Sequence, residues 1–415
     1  MSFLHINDGL CQKSLQVVAP ASLLPPDLVT GSAVECFGEI VLSPGVQQTT
    51  ELECTGIKVI GKCQHPSNAS NLSYWNNENY LRRYLHLRSR SQQFAALTRI
   101  RHAIRQFVTR FFEDQNFIYI DTPTITSNIS EGAGDIFKIS SVVSQNVSST
   151  KYKHDTQGSA LYFNKPTYLS VSSQLHLEAV CSGIKQVYTM SKAFRAEPTI
   201  TRHHLAELTM VEAEIAFLFG VESLIKIVED FVVKCACHIL TSCHDDILQM
   251  SQTYGNSEKA LVGFKFNYDE IVTWFGSNLK KEHEEYIVQH CGNEPVFILN
   301  FPAHLKPFYA KRYVTCDSND DDERVTASFD LIAPIAGEIC GGSLREDDPN
   351  TLDINMLSNN IDRHALEWYL DLRRFGYAPS GGFGIGLERY MMFLLGLRNI
   401  KDAISFPRWF RHCSL

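Results

Sequence analysis

The sequence predicts an α+β protein, and three observations carry that expectation. Residues 1–63 hold four short alternating or β-branched runs separated by turn-forming pairs. A long amphipathic helix follows, with Phe94, Leu97, Ile100, Ile104, Phe107 and Phe111 at helical spacing. Beyond it, helical patterns over roughly 221–250 and after Asp362 interleave with strands such as 208–218 and 295–302.

The front module has strands in FLHIND, SLQVVA, AVECFGEIVLS and ELECTGIKVIGKC, broken at Asp8-Gly9, Pro25-Pro26 and Pro44-Gly45. Four strands are one short of a five-stranded OB barrel, so residues 1–63 read as a partial OB fold whose first strand is expected upstream. In the first strand Leu4 and Ile6 share one face, and Phe3 and His5 the other. In the second, Leu15 and Val17 point inward and Gln16 outward. Phe3 and Gln16 are therefore placed side by side on the open face, which OB folds use for single-stranded nucleic acid. Residues 64–92 are polar and arginine-rich and read as a hinge; 93–415 form the main domain, with a polar, pattern-poor insertion near 139–165.

At 415 residues, 44% of them hydrophobic and 20% charged, the chain has enough apolar material for a large core, which excludes a disordered class. No apolar run approaches the ~20 residues of a membrane helix. The longest, Tyr390 to Leu397, reads as one buried helical segment. The first residues alternate like a strand rather than forming a targeting peptide. The twelve cysteines are scattered without paired metal spacing, and Cys235 and Cys237 form an isolated C-x-C in an apolar stretch, so they read as buried thiols. Sequons such as Asn68 and Asn128 then carry no meaning. A net charge of −8 argues against a polyanion partner, but Asn79 to Phe112 contains eight arginines (Arg82, Arg83, Arg88, Arg90, Arg99, Arg101, Arg105, Arg110) and no acid. That strip reads either as a solvated helix face or as a surface facing nucleic acid.

Three segments resemble the signature motifs of class II aminoacyl-tRNA synthetases. Phe117 to Pro123 (FIYIDTP) after the long helix is similar to the first motif, which builds the dimer interface in that family; Asn116 stands where a Gly is usual. Phe194 to Glu214 (FRAEPTITRHHLAELTMVEAE) resembles the second, a hairpin whose loop holds ATP. There the resemblance implies that Arg195 forks onto a phosphate, Glu197 accepts from the adenine amino group, and His204 donates to the terminal phosphate. Gly381 to Arg389 (GGFGIGLER) resembles the third, with Gly386 in the ATP site and Arg389 stacked on adenine. Arg195 and Arg389 are the catalytic residues this implies. The chain departs from the family pattern at Leu208, which replaces an aromatic under adenine, at His203 for an Arg, and at Ser380 for a His.

Further segments resemble the aspartyl and asparaginyl subgroup. Ser130-Glu131-Gly132 implies that Glu131 binds the substrate ammonium. In LSVSSQLHLE, Gln174 and Glu178 bind the amino acid; Leu177 stands where aspartyl enzymes carry Lys, and Glu178 offers an acceptor for an amide. FDLIAPIAGEICGGSLRE supplies Asp330 and Glu338 for Mg²⁺ on ATP, and Arg345 for the substrate side chain. The resemblance spans nearly the whole chain and is nearest the bacterial and organellar members of the asparaginyl-tRNA synthetase family, through YLRRYLHLRSR, EEYIVQHCGNEPVFILNFP and LKPFYA.

That resemblance implies an antiparallel class II sheet flanked by helices, a homodimer, and ATP-dependent joining of L-asparagine to tRNA(Asn) through an adenylate. It also implies anticodon contacts by Phe3 and Gln16, and residence in the mitochondrial matrix, with the cytoplasm as the alternative. An aspartyl or non-discriminating enzyme would share the ATP residues but carry Lys at position 177. An asparagine synthetase of synthetase ancestry would lack the OB strands. A catalytically weakened RNA-binding relative would have lost Arg195, Glu338 or Arg389.

Overall fold

The computed structural model describes residues 1–46, 48–64, 77–128, 136–140, 153–154, 160–254, 267–269, 279–314 and 324–415. Glu131 and its neighbours, most of 139–165, and Asn68 lie outside them. The chain divides into two compact units: Met1–Ala103 with Cys243–Thr253 and Ser414–Leu415, and Ile104–Ser242 with Tyr254–Cys413.

In the first unit the four runs are strands: β1 (Ser2–Ile6), β2 (Leu15–Ala19), β3 (Ala33–Leu42) and β4 (Thr50–Gly61). They form one sheet in the order β1-β2-β4-β3, with β2 and β4 parallel and no further strand paired to it among the described residues. Val17, Ala19, Leu52 and Cys54 make its core, with Leu4, Ile6 and Leu15 packed against them. The alternation predicted this inner face. Residues 77–92, read from sequence as hinge, carry α1 (Glu78–Arg83) and α2 (Leu85–Arg88) before α3 (Gln92–Glu113).

Much of the arginine strip has partners inside this unit. Arg82 pairs with Glu78 at 2.7 Å, Arg90 donates to the Gly31 carbonyl at 3.0 Å, and Arg88 is buried over the Phe94 ring. Arg99 forks onto Asp246 at 2.6 and 3.0 Å, which ties in a helix from far along the chain, α6 (His244–Tyr254).

The second unit is built on an eight-stranded sheet. Its strands are β5 (Ile118–Tyr119), β6 (Gln186–Phe194), β7 (Glu207–Ala216), β8 (Asn267–Asp269), β9 (Val296–Leu299), β10 (Ser328–Ala333), β11 (Gly337–Leu344) and β12 (Ser380–Gly386). The order is β8-β9-β10-β11-β12-β7-β6-β5, antiparallel except for the outer pairings β8–β9 and β5–β6. Pro123 breaks the FIYIDTPTIT run, leaving Ile118–Tyr119 and Ile125–Thr126 as separate short strands. Helices α4 (Gln174–Cys181), α5 (Glu222–Ser242), α7 (Lys281–His290), α8 (Pro349–Ser358), α9 (Glu367–Arg374) and α10 (Leu387–Leu395) accompany the sheet. The apolar run from Tyr390 is the buried body of α10, which stops at Gly396 with φ 64°.

Asn116, which replaces the usual glycine, sits in the turn from α3 into β5 at φ 64°. Asparagine tolerates this left-handed conformation better than other side-chain-bearing residues, so the substitution keeps the turn.

Candidate active site

β6 and β7 pair in unbroken register from Gln186↔Ile215 to Phe194↔Glu207, and the Arg195 N–H donates to the Ala206 carbonyl at 3.0 Å. Residues 196–205 thus hang as a loop from a closed hairpin. In that loop His204 Nε2 stands 3.1 Å from Glu197 Oε2, and its Nδ1 faces Thr201 Oγ1. A carboxylate only accepts, so the ring proton is on Nε2 and is directed at Glu197. Burial holds His204 below the usual histidine range; Glu197 opposes this, while Arg389 and Arg195 add to it. The structure therefore brings Arg195, Glu197, His204 and Arg389 into one electrostatic neighbourhood.

His203 donates from Nε2 to the Ile335 carbonyl at 2.8 Å. Ile335 has φ 69° in the tight turn between β10 and β11, a conformation a β-branched residue rarely adopts. Two further contacts fix the region. Arg389 on α10 donates to the Glu338 carbonyl at 2.8 Å, and Glu388 accepts the Thr209 N–H at 2.9 Å. Leu208 is half-buried opposite Ala193, and Gly386 lies opposite Met210.

Asp330 on β10 and Glu338 on β11 converge over Gly341. A Cβ there would stand 3.1 Å from Asp330 Oδ1 and 3.3 Å from Glu338 Oε1. Burial raises the Asp330 carboxyl to about 6, with Lys306 opposing and Glu338 adding to the rise. Lys306 Nζ lies 2.6 Å from both Asp330 oxygens and already supplies one positive charge. Among the described residues no cluster of three His, Cys, Asp or Glu is spaced to hold a metal unaided. A pair of hard oxygen ligands nevertheless fits Mg²⁺, which keeps waters and takes one or two carboxylates alongside substrate phosphates.

Of the four residues expected for the amino acid, Gln174, Glu178 and Arg345 meet in a buried polar cluster, and Glu131 lies outside the described residues. Gln174 and Glu178 lie one turn apart on α4 and share a face. Arg345, just past β11, donates to Gln174 Oε1, to Ser343 Oγ at 3.0 Å, and to Glu214 through Nε–Oε1 at 3.0 Å and Nη2–Oε2 at 2.6 Å. Ser380, where the family usually has His, donates to Glu214 Oε1 at 3.0 Å. Gly382 leaves room for this pair, since a Cβ there would be 1.9 Å from Glu214 Oε2 and 2.5 Å from Arg345 Nη2.

Glu178 is enclosed by Arg373 Nη2 at 2.6 Å, the Tyr377 hydroxyl at 3.0 Å and the Tyr369 hydroxyl. Leu177 turns away from it into an apolar group with Cys181, Val187 and Ala216. The charge at this corner is therefore set by Glu178 and its partners, not by position 177 alone. Glu214, Arg373, Tyr369, Tyr377 and Lys306 escaped sequence reasoning. Glu214 had one available signal, because it follows Glu212 by two in the otherwise apolar stretch 210–216, and such carboxylates share a face.

Comparison with known proteins shows the family. The family model described as tRNA synthetases class II (D, K and N) matches residues 76–410. A Homo sapiens asparaginyl-tRNA synthetase is 38% identical across 100% of this chain and 87% of the relative. An asparagine–tRNA ligase of Rhodopirellula baltica is 35% identical across 98% and 86%. The crystal structure of asparaginyl-tRNA synthetase from Pyrococcus horikoshii complexed with asparaginyl-adenylate has TM-score 0.80 and 26% identity, covering 98% of this chain and 90% of that one. The corresponding Entamoeba histolytica complex has TM-score 0.81 and 25% identity, with 100% and 92% coverage. The fold is that of a class II tRNA synthetase. Within that class, the chain belongs to the asparaginyl-tRNA synthetase family.

Proposed function

We propose the following division of labour for this chain's reaction, the ATP-dependent ligation of L-asparagine to tRNA(Asn) through an asparaginyl adenylate. Arg195 and Arg389 hold ATP, Arg195 by a planar fork on phosphate and Arg389 by its guanidinium against the base. Glu197 and His204 part from one another when the nucleotide enters, freeing Glu197 for the adenine amino group and His204 Nε2–H for the terminal phosphate. Mg²⁺, held by Asp330 and Glu338, would neutralise charge on the phosphates. The asparagine carboxylate attacks the α-phosphorus and pyrophosphate leaves; the terminal ribose hydroxyl of tRNA then attacks the adenylate carbonyl, giving up its proton as AMP departs. Catalysis is positioning and electrostatic stabilisation by these preplaced groups.

Gln174 and Arg345 contact the amino acid, with Glu131 on its ammonium, whereas Glu178, expected to accept from the amide, is engaged by Arg373, Tyr369 and Tyr377. Phe3, 62% exposed, supports stacking on an anticodon base. Gln16 lies on the same face, diagonal to Phe3 in the β1–β2 register, and is steered by Glu51 at 3.1 Å. Self-association through β5 is supported by Ile118 and Tyr119, 50% and 47% exposed on the edge of the large sheet. Matrix residence, with cytoplasm as the second reading, is supported by likeness to bacterial relatives.

The observation that carries the ATP assignment is that the hairpin bearing Arg195 and the strand leading into Arg389, almost two hundred residues apart in sequence, are paired neighbours, with Gly386 opposite Met210 and the Thr209 N–H on Glu388 at 2.9 Å. Arg195→Ala and Arg389→Ala should each lower asparagine-dependent ATP–pyrophosphate exchange by at least ~10²-fold while circular dichroism stays parental. Near-parental exchange in either would place the nucleotide elsewhere.

A further inference from the structure

We propose that Arg373 is a specificity-determining residue. As counter-ion to Glu178 it completes a sealed, charge-neutral quartet with Glu214 and Arg345, and this neutrality admits an amide side chain and rejects a carboxylate. The inference deepens the asparagine reading above and rests on it.

The geometry is that of a built ion pair. Arg373 Nη2 lies 2.6 Å from Glu178 Oε1, with side-chain exposures of 0% and 1%. The Arg373 guanidinium sits 4.4 Å from the centre of the Tyr369 ring and 4.3 Å from that of Tyr377, and its Nε donates to the Glu346 carbonyl at 2.9 Å. Glu178 lies 3.9 Å from Arg345, whose own fork is closed on Glu214 with side-chain exposures of 1% and 0%. Two glutamates and two arginines are thus linked out of reach of solvent.

Asparagine and aspartate have nearly the same shape, so the difference a site can read is charge and hydrogen-bond direction. Glu178 has little acceptor capacity to spare. Its Oε1 already receives Arg373 and Tyr377, and its Oε2 receives Tyr369. Charge is then the stronger discriminator: one uncompensated anion against a buried neutral cluster is screened by neither water nor salt. Burial first, with Glu178 adding, pushes the Glu214 carboxyl up, while the Arg345 fork at 3.0 and 2.6 Å and the Ser380 hydroxyl oppose this and keep it paired as the carboxylate. Glu212 turns its carboxylate to Ser172 Oγ at 2.8 Å and the Ser173 N–H at 3.0 Å, outside the contacts of the quartet. Burial first, with the two glutamates adding, keeps the Cys181 thiol neutral, and burial does the same for both tyrosines.

The test is ATP–pyrophosphate exchange with asparagine and with aspartate on the parent, Glu178→Gln, Glu178→Gln/Arg373→Met and Glu178→Gln/Arg373→Lys enzymes. The readout is the ratio of kcat/KM for aspartate over asparagine. Both substrates meet the same preparation, so the ratio is independent of how much of a variant folds. Glu178→Gln leaves one excess positive charge and should raise the ratio at least ~10-fold. Adding Arg373→Met restores neutrality and should return the ratio to the parental value, whereas adding Arg373→Lys keeps the charge and should leave it raised. A ratio unmoved by Glu178→Gln, or equal in the two double variants, would overturn the proposal. A parent enzyme that fails to discriminate would instead overturn the asparagine reading itself.

Discussion

At Gly382 the backbone of β12 passes so close to the Glu214–Arg345 pair that a methyl group would lie 1.9 Å from one carboxylate oxygen. Gly382→Ala should therefore destabilise the protein by roughly 2–5 kcal/mol, through overpacking and displacement of a buried ion pair. Urea unfolding gives the value, and a change below half a kcal/mol would contradict the placement. A second residue-scale effect concerns His203. Its pKa is held below the usual histidine range by burial first, against the Ile335 hydrogen bond and with Lys281 and Arg389 adding to the depression. The folded form is neutral while the unfolded chain takes up a proton near pH 6.5. The stability His203 contributes is thus present above that pH and lost as pH falls through the depressed value. The unfolding difference between parent and His203→Asn, about 1 kcal/mol at pH 7.5, should shrink towards pH 6. A constant difference across that range would contradict the His203–Ile335 contact.

Among the elements, those with local signals were legible. Alternation in β1 to β4, the spacing in α3, and the glycine-rich entry into α10 follow from side-chain periodicity and backbone freedom, which act over a few residues. Long-range partners left no such trace. α6 joins the first unit through Arg99 and Asp246, 147 residues apart, and nothing local distinguishes Asp246 from a solvated acid. Arg373 and Arg374 are adjacent at the end of α9 and read alike. Yet Arg374 pairs at the surface with Glu367 and Asp371, whereas Arg373 is sealed against Glu178. The departures at Asn116 and His203 became intelligible only once φ 64° and the Ile335 carbonyl were visible. The small sheet supplies its own prediction. Phe3 is exposed on β1, opposite Val18 and diagonal to Gln16, so Phe3→Ala should lower tRNA charging about tenfold through lost stacking and leave asparagine-dependent exchange unchanged. Equal charging by parent and variant would remove Phe3 from the anticodon surface.

For the whole molecule, the two units divide the labour: the second carries the residues assigned to ATP and asparagine, and the first carries those assigned to the anticodon. Variants in the second unit's assigned residues should therefore lower activation and charging together, and variants in the first unit's should lower charging alone. Selection of the amino acid is the step on which this account most depends. It follows from Glu178, Glu214, Arg345 and Arg373 leaving no net charge to meet a substrate carboxylate. The most direct measurement is ATP–pyrophosphate exchange by the parent enzyme with asparagine and aspartate compared side by side. Aspartate would bury an unpaired charge, so kcat/KM should be at least ~10²-fold higher for asparagine. Comparable values for the two amino acids would contradict it.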